Sequence, residues 1–203
     1  MKTIIQFASM RIVLASGNPK KALELSPFLA PHELISPQEA GFIWDYPEEH
    51  GTTFIENALI KAEYLFSKLS LPVLADDSGL CIDALDGRPG IHSARYGSTT
   101  QTGKLSDYER NLIVLKEMQG MQQRSCRFIC ALMCILDSYR KYIIQETCEG
   151  ILLETMQGTN GFGYDPLFYI PELGKTMAEL TPEEKNRVSH RGKALRQLMK
   201  LLD

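Results

Sequence analysis

Short apolar runs that alternate with amphipathic helical stretches constrain this chain more than any other feature. Residues 11–15 (RIVLA) and 71–77 read as short strands apolar enough to be buried on both faces. A helical pattern follows the first of them through Leu23, Leu25 and Phe28, and a weaker strand is expected around residues 33–36. Residues 53–69 give the clearest helix signal, with Thr53 and Glu56 in capping-box spacing and Phe54, Ala58, Leu65 and Leu69 on one stripe. The strand over 71–77 is expected to turn at Ser78-Gly79 before a second run, 80–85. Residues 37–52 and 86–103 read as loop and 104–119 as helix. Two long β-rich runs, 126–136 and 142–154, are joined by residues 137–140 in the manner of an antiparallel hairpin. Thr181, Pro182 and Glu184 suit N-cap, N1 and N3 of a C-terminal helical region, which a break near 189–192 divides. The pattern predicts an α/β protein built on a mixed sheet flanked by helices.

A length of 203 residues suits one domain, here taken as 11–203, after an N-terminal extension over 1–10 that is too weakly apolar for a signal peptide. The net charge of −3 argues against a general nucleic-acid binder, and no apolar run reaches the ~20 residues that span a bilayer. The charge is nonetheless uneven. Residues 32–63 hold seven acidic side chains against Lys61 alone, whereas 175–203 hold seven Lys or Arg against four acids. One region could hold a cation and the other an anion, although each charge singly is what a solvated helix face carries. Five cysteines, an odd number, do not make a complete disulfide framework. Cys126, Cys130 and Cys134 share a face, but without CxxC spacing they read as buried thiols of a reducing cytoplasm.

The stretch 159–166 (TNGFGYDP) is built to hold a ligand, or else to make a tight turn. Gly161 and Gly163 bracket Phe162, letting the backbone approach a ligand closely while the ring offers a stacking surface. Residues 16–21 (SGNPKK) lie at a strand-to-helix junction with a flexible glycine and two lysines, a suitable phosphate site without the Walker spacing. Asp76 and Asp77 are adjacent carboxylates on a strand, so their side chains point to opposite faces: one can be catalytic and its neighbour structural. Glu48-Glu49-His50-Gly51 is a second acidic candidate, and Asp77 with a glutamate from that loop would suit Mg²⁺, which wants one or two carboxylates plus phosphate oxygens. Glu56 is explained by its capping duty. Lys185, His190 and Arg191 supply positive charge and donors, although each alone suits a surface helix. Ser93, Ala94, Arg95 and Tyr96 are read as loop residues near the site.

Set in order, the stretches SGNPKK, TFIENALIKAE (53–63), LADDSGLCIDALDGRPGIHSARY (74–96), TNGFGYDPLF (159–168) and EEKNRVSHRGKAL (183–195) resemble the inosine triphosphate pyrophosphatase family. The family hydrolyses non-standard purine nucleoside triphosphates. The resemblance implies a long mixed twisted sheet with two lobes and a central active-site cleft, a homodimer, and Mg²⁺-dependent release of monophosphate and pyrophosphate from ITP, dITP or XTP. It implies that Ser16, Gly17, Asn18, Pro19, Lys20 and Lys21 hold phosphates, and that Asp77 is general base and metal ligand beside Ser78. Phe162, Gly163, Tyr164, Asp165, Lys185, His190 and Arg191 would hold the nucleotide, chiefly its base end. The second metal ligand aligns with Glu49, with Glu48 one residue away. Ser16 replaces the family's common Thr and keeps the hydroxyl; Lys20 stands where bacterial members commonly have Gly. A pyrophosphatase of modified pyrimidine or methylated nucleotides and a non-catalytic nucleotide sensor are the competing readings.

Overall fold

The computed structural model describes residues 9–45 and 47–202, so most of the expected N-terminal extension lies outside the described residues. Among the described residues, twelve helices and strands carry the fold: β1 (Arg11–Leu14), α1 (Pro19–Leu25), β2 (Glu33–Ile35), α2 (Phe54–Leu69), β3 (Val73–Ile82), α3 (Asp107–Glu117), β4 (Ser125–Ile135), β5 (Lys141–Leu152), β6 (Phe168–Ile170), β7 (Lys175–Thr176), α4 (Pro182–Val188) and α5 (His190–Leu202). The strands form one mixed sheet in the order β2-β1-β3-β4-β5-β6-β7. β1 pairs in parallel with β2 and β3, a pairing that needs crossover connections, which α1 and α2 supply. β6 pairs antiparallel with both β5 and β7. The expected α/β architecture, a mixed sheet flanked by helices, is the one observed.

The chain groups into two compact units. The first comprises Met1–Asp77, Cys130–Glu146 and Arg191–Asp203, and the second Ser78–Ile129 and Thr147–His190. Each has its own core. In the first, Ile12, Leu14, Leu25, Leu74, Leu132 and Leu198 pack together. In the second, Leu80, Ile82, Phe128, Leu152, Phe168 and Met177 do so.

Local signals placed the helix starts well. Thr53 and Glu56 form the capping box of α2, and Thr181 and Glu184 that of α4, with Pro182 in its first turn. The C-terminal break falls at Ser189, between α4 and α5. β4 and β5 are neighbours in the sheet, closed by a backbone bond from Leu136 N to Arg140 O (2.9 Å). All five cysteines are buried, and none is in a disulfide. Two expectations fail. β3 runs unbroken through Ser78-Gly79, with every residue but Ser78 buried. A turn there would strip buried N–H and C=O groups of their ladder partners, and the Leu80 N–H is met by Ser93 Oγ at 2.9 Å. The buried face of α2 also differs: it holds Asn57 and Lys61 among Phe54, Ala58, Ala62 and Leu65, and Leu69 is not part of it.

Candidate active site

In the first unit, the chemistry gathers where β3 presents Asp76 and Asp77. Both are buried, and strand geometry sends them to different partners. Asp76 forms an ion pair with Lys21 and another with Arg191 Nε (3.2 Å), and the Cys130 thiol approaches it at 3.5 Å. Burial alone would raise its pKa, but Lys21, Arg191 and Lys61 hold the carboxyl far below the usual range. Arg191 is itself buried and also pairs with Glu24. Asp77 accepts from Lys61 Nζ at 2.7 Å. Burial pushes the Asp77 pKa up, against the opposing pull of Lys61. Asp77 Oδ2 is buried with no hydrogen-bond partner.

Lys61 joins this group to the acidic loop. Its Nζ lies 3.2 Å from Glu49 Oε1 and donates to the Asp76 carbonyl at 2.9 Å. Burial alone would lower the Lys61 pKa, yet Asp77, Glu49 and Asp76 together raise it. The loop is pinned close to α2: Gly51 N–H donates to Asn57 Oδ1 at 2.9 Å. A Cβ at Gly51 would fall 2.6 Å from that oxygen and 2.7 Å from Glu56 Cβ, so the approach needs glycine. Glu49 is half-buried and faces Lys61, whereas Glu48 is exposed. In the 16–21 stretch, Asn18 caps α1 by accepting from Lys20 N–H (3.0 Å), and Ser16 Oγ accepts from Asn18 N–H (3.1 Å). Gly17, Pro19 and Lys20 are exposed; Lys21 is committed to Asp76.

In the second unit, the 159–166 stretch is a tightly bonded loop. Thr159 and Asn160 N–H groups both donate to Ala178 O, at 3.1 and 2.9 Å. Gly161 has φ +75°, and a Cβ there would lie 2.0 Å from Asp165 Oδ2. That oxygen accepts from Phe162 N–H (2.8 Å) and from Lys185 Nζ (2.6 Å). The Lys185 ammonium sits 4.9 Å from the centroid of the half-buried Phe162 ring. Gly163 donates through its N–H to Asp107 Oδ2 and accepts at its carbonyl from Asn111 Nδ2, each at 2.9 Å. Tyr164 is buried and donates to Ser93 O at 2.9 Å, and burial raises its pKa well above the ordinary phenol. His190 stacks on Phe128, centroids 4.9 Å apart. Ser78 is half-buried on β3. The loop thus brings together Phe162, Gly163, Asp165 and Lys185. Arg191, in the first unit, has its guanidinium held by Asp76 and Glu24, because a buried charge needs paired partners.

A sequence model of the Ham1 family matches residues 12–201. The chain belongs to the Ham1 family. A dITP/XTP pyrophosphatase of Treponema denticola is 52% identical over 186 residues, which are 92% of this chain and 95% of that protein. A protein of the same description from Thermus thermophilus is 47% identical, over 94% of this chain and 90% of its own. The solved structure of a HAM1 protein from Coxiella burnetii superposes with a TM-score of 0.85 at 40% identity, covering 95% of this chain and 98% of that one.

Within the Ham1 chain, the donor set around Lys61 fits a magnesium ion that arrives with a polyphosphate. Among the described residues no group of three or more His, Cys, Asp or Glu could hold a metal unaided. Two carboxylates, Asp77 and Glu49, nevertheless converge on one ammonium, and Asp77 keeps an unengaged buried oxygen. Mg²⁺ takes only one or two carboxylates and completes its shell with phosphate oxygens and water. Lys61 is the residue that the sequence reading passed over. Its signal was present, as the one basic residue in an acid-rich stretch, four positions from Asn57 on the same face of a capped helix.

Proposed function

We propose that the Ham1 chain hydrolyses the α–β phosphoanhydride bond of ITP, dITP and XTP, releasing the monophosphate and pyrophosphate and so clearing non-standard purines from the nucleotide pool. The observation that carries this reading is Asp77. It is a buried carboxylate with one oxygen tied to Lys61 beside Glu49 and the other unengaged, in a chain half identical to a dITP/XTP pyrophosphatase.

The first unit is assigned the reacting end. Magnesium, held by Asp77 and Glu49 together with the triphosphate, would neutralise phosphate oxygens and favour pyrophosphate departure. Asp77 orients the attacking water and accepts its proton. Lys61 keeps two carboxylates close together and adds positive charge to the phosphates. Ser16 to Lys21 bind the phosphates through N–H groups, hydroxyls and Lys20; Ser78, which opens the second unit, is assigned to the substrate as well. Arg191 acts through Asp76, holding β3 and Lys21 in place.

The second unit is assigned the base. Phe162 supplies the stacking surface, Lys185 and Asp165 hold it, and Gly163 and Tyr164 shape the loop. Hypoxanthine and xanthine carry a 6-oxo acceptor where adenine has an amino donor, so a donor from His190 or the loop backbone selects them; guanine must be rejected at its 2-amino group. Residues 11–203 work as one catalytic domain, as a homodimer and in the cytoplasm. Five cysteines without a disulfide suit a reducing compartment.

Product identity tests the reaction. With Mg²⁺, ITP should give IMP and pyrophosphate; IDP and phosphate would reject the assignment. Comparing ITP and XTP with dUTP and GTP tests the substrate class, and absence of a preference for the oxopurines would reject it.

A further inference from the structure

Helix α3 holds the loop that carries Phe162 by an arrangement that core packing does not explain. Asp107 and Asn111 stand one turn apart on the helix, and between them they take both polar groups of the Gly163 peptide. Asp107 Oδ2 accepts the N–H and Asn111 Nδ2 donates to the C=O, each at 2.9 Å. Gly163 has φ +64°, a conformation that extended pairing cannot hold, so side chains replace a strand partner. On the adjoining residue, Phe162 N–H is taken by Asp165. The Phe162 carbonyl accepts from Asp165 N–H at 3.3 Å, so four consecutive polar groups of this short loop are fixed from two sides.

The chemistry of Asn111 strengthens the point. It is 2% exposed, and its Oδ1 is buried without a hydrogen-bond partner. A leucine would fill such a position without leaving an unpaired carbonyl, so the amide is there for its donor. Asp107 is anchored in turn by a salt bridge to the buried Arg110 and sits in the first turn of a helix capped by Ser106, where a carboxylate is favoured.

We infer that Asp107 and Asn111 are positioning residues for nucleotide recognition: they set the Phe162 platform without touching substrate. The inference rests on the assignment of Phe162 to the base.

The test uses Asn111→Leu, Asp107→Ala, Asp107→Asn and Phe162→Ala, with inosine monophosphate and pyrophosphate as inhibitors. Loss of one clamp bond is expected to raise the KM for ITP and weaken inhibition by the monophosphate about five-fold. kcat and inhibition by pyrophosphate should stay within about two-fold, since the reacting end is untouched. Asp107→Asn keeps an acceptor for Gly163 N–H and should restore the wild-type KM, a rescue that general loosening of the fold would not give. Asn111→Leu should fold with a Tm near the parent's. If Phe162→Ala raises the KM while Asn111→Leu and Asp107→Ala leave it unchanged, the clamp inference is overturned and the base assignment stands. If Phe162→Ala also leaves the KM unchanged, the base assignment falls and the clamp inference with it.

Discussion

Asp76 and Asp77 are chain neighbours with opposite electrostatic surroundings. Asp76 is enclosed by cations and stays ionised; Asp77 is pushed the other way by burial, against the pull of Lys61 and Lys21. The first suits a structural pivot and the second a group that handles a proton. Asp77→Asn should reduce kcat by at least about two orders of magnitude, the ordinary scale for a general base, while leaving nucleotide affinity by calorimetry largely intact; near-normal turnover would remove Asp77 from the chemistry. Asp76→Asn should act on stability. It leaves the Arg191 and Lys21 charges without their buried partner, a loss of about 3–5 kcal/mol at neutral pH. Because the folded pKa of Asp76 lies below its unfolded value near 3.8, its contribution is complete above that pH and is lost as pH falls through the folded value. Urea unfolding should therefore show a gap between parent and variant that is full at pH 7 and narrows below about pH 4. A gap that is absent at pH 7 would contradict the pairing.

At the scale of elements, α2 shows what local sequence carries and what it does not. Its start was legible because Thr53 and Glu56 bond the backbone within one turn, a contact between near neighbours. The role of Lys61 was not, because a lysine on a helix face is normally solvated and only the placement of β3 and the Glu49 loop makes it a buried hub. β3 failed in the opposite direction: Ser-Gly reads as a turn from neighbours alone, while sheet pairing keeps it extended. The Glu49 loop makes a direct prediction. Gly51→Ala places a methyl against Asn57 Oδ1 and Glu56 Cβ, so the loop must shift away from Lys61. Magnesium affinity measured through the activation curve should weaken, while the helix keeps its capping box and far-UV dichroism is unchanged. Unchanged magnesium activation would separate this loop from the metal.

For the whole molecule, magnesium should matter to turnover and not to folding. Asp77 and Glu49 are two carboxylates that already share Lys61, so an ion they hold depends on phosphate and water for the rest of its shell and should exchange freely. Chelation with EDTA should abolish turnover and Mg²⁺ should restore it, with little change in Tm, because each unit's core is apolar and needs no metal. A large fall in Tm on chelation would indicate a structural ion instead.

The amino-acid sequence alone determined the α/β class, the starts of α2 and α4, and the family. These are properties of neighbours: periodicity, capping and the order of short motifs act over a few residues. Only the tertiary structure decided who meets whom. Lys21 and Arg191 reach Asp76 from 55 and 115 positions away, and Gly163 meets Asp107 and Asn111 on a distant helix. Such pairings follow from burial, because a charge or peptide group removed from water must find a partner wherever the packed chain brings one.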